Sequence, residues 1–166
     1  MSSAEVWLGS APAPGLFVDT NLLVLFTIGA VNRNRIEQFK RTSKYTKEDY
    51  DLLLRVLGQF KRPYTVAHVL AEVSNLTDLS GPEGLLARRV LKEAILVLNE
   101  VEMPSIRAAE SRPYPSLGLV DAAISEVARD LNCAVLTDDF DLYHSLIRDN
   151  VKALNFTHLR AANWGM

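Results

Sequence analysis

The sequence predicts an α/β fold, a three-layer α/β/α sandwich around a mostly parallel central sheet, and three observations predict it. Short aliphatic runs recur along the 166 residues: Leu16-Phe17-Val18, Tyr64-Thr65-Val66, Val101 to Met103, Ala134-Val135-Leu136 and Val151 to Leu154. Stretches with helical spacing separate them, as parallel strands require, because each parallel return needs a crossover. A 48% apolar content at this length also supplies a core without disulfide staples, since such a chain buries about 70% of its unfolded surface.

Taken in order, residues 1–15 read as a loose leader rich in Ser, Ala, Pro and Gly, and 16–166 as a single domain. The first strand stops at Asp19, and Asn21 is placed to cap a helix over Leu22–Ala30. A basic helix is expected over Arg33–Arg41. Thr46 and Asp49 make a capping box for a helix over Lys47–Phe60, whose Tyr50, Leu53, Leu54 and Leu57 form an apolar stripe. Arg62-Pro63 breaks it, and helix resumes over Ala67–Leu76. Ser80-Gly81-Pro82 opens another to Leu98, with Leu85, Leu86, Val90, Ala94 and Leu98 expected inward. A strand at Val101–Met103 and a helix at Ile106–Glu110 precede a loop over Ser111–Ser116, where Pro113 and Pro115 oppose regular structure. Ser116 is expected to cap Leu117–Asn132, and Phe140–Arg148 to form the last helix. No internal repeat or low-complexity segment interrupts the pattern.

Composition excludes several classes of function. Cys133 is the one cysteine, so no internal disulfide forms; inside an apolar run it reads as a core residue, which suits a reducing cytoplasm. The longest apolar stretch, Leu22 to Val31, is half the roughly 20 residues a spanning helix needs, and the start of the chain lacks the basic residues of a signal peptide. The expectation is a cytoplasmic protein with no membrane partner. Formal charge is only −2, but the segment 31–62 holds nine of the eighteen basic residues against four acids, a net of +5, and the remainder nets −7. A local positive field of this kind attracts phosphate.

Four acids stand apart from the rest. Asp19 follows the first strand, Glu72 sits within Val69-Leu70-Ala71-Glu72-Val73, Asp121 lies between Leu119-Val120 and Ala122-Ala123, and Asp138-Asp139 follow Ala134–Thr137. In open parallel sheets, ligands gather beyond the carboxyl ends of the strands, where the first and last of these fall. No Lys or Arg lies within five residues of Asp19, Glu72 or Asp121, so no local ion pair accounts for them. Each taken singly is equally a cap or turn carboxylate; taken together they suit a divalent magnesium or manganese ion, which prefers oxygen ligands.

The four segments in this order, with Leu16-Phe17-Val18-Asp19-Thr20-Asn21 first and Val135-Leu136-Thr137-Asp138-Asp139-Phe140-Asp141-Leu142 last, resemble the ordered motifs of PIN-domain ribonucleases. The resemblance runs from Leu16 to Leu154. It implies a Mg2+- or Mn2+-dependent hydrolase that cuts RNA, with Asp19, Glu72, Asp121 and Asp139 as catalytic metal ligands and Asp141 as a further ligand. Asn21, Thr137 and Asp138 would support them. Attack by water would leave a 5′-phosphate and a 3′-hydroxyl, and because acids repel the RNA backbone, Arg33, Arg35, Lys40, Arg41, Lys44 and Lys47 would guide phosphate. Tyr45, Tyr50 and Tyr64 are candidates for stacking on bases, Tyr50 being placed for packing as well. Many members of this family are toxins of toxin–antitoxin pairs, which implies an antitoxin partner and a homodimer; the stretch 31–62 is longer than the matching part of the compact toxins.

Rival readings lack a required residue. Haloacid-dehalogenase-like phosphatases need a second Asp two positions after the first, where this chain has Asn21; receiver domains need paired acids there; and His68, His144 and His158 have no zinc-ligand spacing. The alternative from another class is a PIN-like module that binds RNA or protein without cutting.

Overall fold

The computed structural model describes residues 15–165, so the leader expected at 1–15 lies, apart from Gly15, outside the described residues. Five strands form one sheet: β1 Leu16–Val18, β2 Pro63–Thr65, β3 Asn99–Glu100, β4 Ala134–Thr137 and β5 Ala153–Asn155. Every pairing is parallel and the order is β3-β2-β1-β4-β5. Leu16 is in register with Pro63 on one side and with Ala134 on the other. The described helices are α1 Thr20–Val31, α2 Lys47–Leu57, α3 Ala67–Leu76, α4 Gly81–Val97, α5 Ser105–Ala109, α6 Tyr114–Leu117, α7 Leu119–Leu131, α8 Phe140–Arg148 and α9 Phe156–Trp164. They flank the sheet as an α/β/α sandwich. β1 and β4 are buried along their whole length, which is why both are continuous apolar runs and not alternating ones.

The strand order reverses between β1 and β4. Chain leaving β1 builds β2 and β3 on one side, whereas β4 and β5 lie on the other, and the carboxyl ends of β1 and β4 therefore open onto one crevice. Among the described residues no helix is long and apolar enough to cross a membrane. Cys133 is buried, and burial pushes its thiol up to about 11.

Several local expectations are corrected. Arg33–Arg41 is not a helix: a single 3-10 turn, Arg33–Arg35, gives way to successive turns up to Lys44. Only Ile36 and Phe39 are apolar there, too few to pin an amphipathic helix; the fully buried Ile36 anchors the segment and Thr42 donates to the Ile36 carbonyl at 2.7 Å. Asn21 does not cap α1, because Asp19 does, accepting from the Leu22 N–H at 3.1 Å. α2 ends at Leu57, three residues early, while its capping box from Thr46 to Asp49 is present. α4 buries Gly84, Ala87 and Leu91, and Leu85 and Leu86 of the expected stripe are exposed; the inward face is one position out of phase. β3 comes two residues before the expected Val101–Met103. The proline loop contains α6, since Pro115 sits in its first turn where a missing N–H costs nothing. Ser116 is consequently inside α6 and does not cap α7. Gly118 does the turning, at φ 83, with no atom within 4 Å of where a Cβ would stand, so backbone conformation and not space requires glycine. β5 and the unforeseen α9 complete the chain.

Candidate active site

Each of the four acids is delivered to the crevice by a different element. Asp19 leaves β1 as the cap of α1, Glu72 lies in the second turn of α3, Asp121 in the first turn of α7, and Asp139 follows β4 as the cap of α8. Together with Thr20, Asn21, Leu117, Leu119 and Val120 they line one cleft of about 260 Å3. The sequence separates the first and last by 120 positions, and the topology brings them to the same edge of the sheet.

Hydrogen bonds fix two of the carboxylates and barely touch the other two. One Asp19 oxygen caps α1. The other accepts from the Thr137 hydroxyl and from the Asp138 backbone N–H at 3.2 Å. Thr137 Oγ1 also accepts from the Asp139 N–H at 2.9 Å, so this one buried hydroxyl ties both strand ends together. Asp139 uses one oxygen to cap α8 through the Leu142 N–H at 2.8 Å. Glu72 receives only a long contact, 3.4 Å from the Thr20 hydroxyl, and among the described residues the Asp121 carboxylate accepts no hydrogen bond.

No cation answers these charges. None of the four takes part in any ion pair among the described residues. Burial is the main cause that pushes Asp19 up to about 7, with the neighbouring Asp138 charge second and the Thr137 hydrogen bond opposing both. Burial likewise pushes Asp121 up to about 7, reinforced by the Asp139 and Glu72 charges. Among the described residues no three His, Cys, Asp or Glu side chains stand close enough to cage a metal as they are. Carboxylates that repel one another with nothing positive between them keep apart. The donor set itself is all oxygen, with no imidazole or thiol in the cleft, and fits a hard dication of the magnesium or manganese kind.

The remaining sequence-predicted residues divide. Asn21 lines the cleft and donates to Asp138 at 3.3 Å. Asp138 itself does not line the cleft: its carboxylate is held by Lys44 Nζ at 2.6 Å and by the Tyr45 hydroxyl. Asp141 is exposed on α8 and does not line the cleft. Of the basic residues, Lys44 reaches the crevice through Asp138, Arg33 pairs with Asp51 and Arg35 with Glu83, both at 2.8 Å, and Lys47 donates to Asn34 at 2.7 Å. Lys40 and Arg41 are exposed. Tyr45 and Tyr50 are buried and unavailable for stacking; a Cβ on Gly29 would lie 2.4 Å from the Tyr50 ring, which shows how closely α1 approaches α2.

Sequence reasoning missed Arg160. From α9 it pairs with the fully buried Asp49 at 2.8 Å, donates to the Lys44 carbonyl at 3.0 Å and lies 5.3 Å from the ring centres of Tyr45 and Trp164. It thereby fastens the basic turn that carries Lys44 beside the cleft. Asp49 hinted at this as an apparent capping-box residue, but no local pattern names its partner.

No family model and no curated protein matches this chain. Among solved structures it is similar to a domain of a functionally unknown protein from Methanocaldococcus jannaschii DSM 2661, at 18% identity over 86% of this chain and 91% of that one, with a TM-score of 0.47.

Proposed function

We propose that this chain is a magnesium- or manganese-dependent ribonuclease of the PIN kind. The observation that carries the proposal is the convergence of Asp19, Glu72, Asp121 and Asp139, from four separate elements, on one cleft at the sheet's switch point, with no ion pair to any of them among the described residues. Asp19 is buried and the other three are half-buried, and charge removed from water without a partner is costly unless something from outside supplies the opposite charge. A dication bound there would supply that charge and activate water for attack at phosphorus.

The chain's own residues supply the rest. Thr137 and the Asp138 N–H fix the rotation of the Asp19 carboxylate, and the Thr137 oxygen holds the backbone at Asp139. Asn21 faces the cleft and links it to Asp138. Lys44, more than half exposed although paired with Asp138, offers phosphate, with Lys40 and Arg41, a positive approach past an acidic cleft.

The test is cleavage of mixed-sequence RNA with manganese, with EDTA, and with Asp121→Asn. Metal-dependent cutting that falls about 100-fold or more in the variant is expected. Cutting that survives EDTA or the substitution refutes the assignment, and RNA retained on the protein uncut points to a binding module.

A further inference from the structure

α4 carries an apolar face that the described residues leave uncovered. Leu85, Leu96 and Val97 are 67%, 75% and 70% exposed, and Leu86 stands out beside them. The same helix buries Ala87 and Leu91 against the core, so the exposed residues are not the ones that hold it to the sheet. Aliphatic side chains scattered singly over a surface are ordinary, but four on one side of one helix make a patch of the kind that marks an interface. The patch borders an open groove of about 470 Å3 between α1 and α4, where Phe26 and Ala30 face Leu86, Arg89, Glu93 and Val97.

The face has a symmetry of its own. Leu85 and Leu96 are eleven positions apart, as are Leu86 and Val97, and eleven residues make three turns, so each pair lies in line along the helix. Arg89 and Glu93, one turn apart, fall between them, and neither joins any ion pair among the described residues. Laid antiparallel on a copy of itself, the helix meets Leu85 with Leu96, Leu86 with Val97 and Arg89 with Glu93. All three pairs share a midpoint at position 91 to within half a residue, about 0.8 Å of helix rise, so one two-fold axis serves them all. A parallel pairing would set Arg89 on Arg89 and Glu93 on Glu93, which like charges oppose. A partner of different sequence would not need the pairs to share a midpoint.

We propose that α4 forms the centre of a two-fold interface between two copies of this chain, with the two α4 helices antiparallel and the groove beside Phe26 widening the contact. The proposal rests on α4 alone and is independent of the ribonuclease reading. Symmetry uses every pair twice, so Arg89 and Glu93 supply two ion pairs flanked by four aliphatic contacts, and an isologous contact of this kind closes at two copies.

Sedimentation equilibrium of the full chain between about 1 and 100 μM tests this. The mass should rise from 18.5 kDa toward twice that value, and Leu96→Asp should hold it at the lower one throughout. Arg89→Glu and Glu93→Arg each set like charges face to face at both pairs and should weaken association about tenfold or more. The double variant Arg89→Glu/Glu93→Arg restores opposite charges and should recover the wild-type constant to within about threefold, a rescue that loss of folding could not produce. Thermal melts check that each variant folds. A monomer at 100 μM leaves the face to a different partner and overturns the proposal, as does growth beyond two copies, a dimer indifferent to Leu96→Asp, or single reversals that the double variant fails to rescue.

Discussion

Asp121→Asn should stabilise the metal-free protein at pH 8 while it abolishes cleavage. The Asp121 carboxylate has neither hydrogen bond nor cation among the described residues, and burial with the Asp139 and Glu72 charges lifts it from 3.8 to about 7. A carboxyl whose folded value is raised favours the native state below its unfolded value, and that advantage is lost as pH climbs from about 4 to about 7. A shift of about three units corresponds to a ceiling of about 4 kcal/mol, of which solvent at a partly open cleft leaves about 2. For a domain of this size, 2 kcal/mol is a rise in Tm of about 4–8 °C. The assay is thermal unfolding of both proteins in EDTA at pH 4 and pH 8. The gain should be full at pH 8 and small at pH 4, where the wild-type carboxyl is protonated in the folded state and about half protonated in the unfolded one. Manganese should then raise the wild-type Tm more than that of the variant. A destabilised variant at pH 8, or an equal gain at both pH values, refutes the claim that unbalanced charge accumulates at Asp121.

Two further substitutions probe the frame around the acids. Thr137→Val keeps the β-branched shape in β4 but removes the hydroxyl between Asp19 and the Asp139 N–H; urea unfolding should show a loss of about 1–3 kcal/mol, and NMR titration should find Asp19 titrating above its present value of about 7, because the hydrogen bond now lowers it. Arg160→Ala leaves the Asp49 carboxylate buried and unpaired and should cost about 3–5 kcal/mol by urea unfolding. Arg160→Lys should recover only part of that, since an ammonium lacks the planar face that lies against Tyr45 and Trp164.

The parallel α/β class was legible because β1 and β4 are buried on both faces, and burial on both faces writes itself as an unbroken aliphatic run. The cleft acids were legible for the converse reason: a carboxylate inside such a run has no local explanation. What could not be read is whatever depends on contacts distant in sequence or on phase. Tyr45 resembled a base-stacking aromatic until its hydroxyl was found on Asp138, 93 positions away. The positive segment resembled a free phosphate guide, yet Arg33 and Arg35 are drawn to Asp51 and Glu83, on α2 and α4. In α4, aliphatic residues occupy nearly every face, so periodicity could not choose Ala87 and Leu91 over Leu85 and Leu86.

The strand-end aspartates show why capping and function are not rival explanations. Asp19 and Asp139 are both N-caps, as an ordinary reading of such residues expects, but a cap engages one carboxylate oxygen only; the second Asp19 oxygen accepts from Thr137 and the Asp138 N–H, and the second Asp139 oxygen accepts no hydrogen bond among the described residues. Both residues line the crevice at the switch point between β1 and β4. Asp138, one residue earlier, shows the contrast: with Lys44, Tyr45 and Asn21 all turned to it, its charge is answered within the protein. Asp19 remains raised to about 7 despite three hydrogen bonds, and Asp121, which caps nothing, is raised as far. Capping therefore explains where two of the four acids sit, and leaves unexplained why all four line one cleft without a counter-charge among the described residues, which is the property that a bound cation would remove.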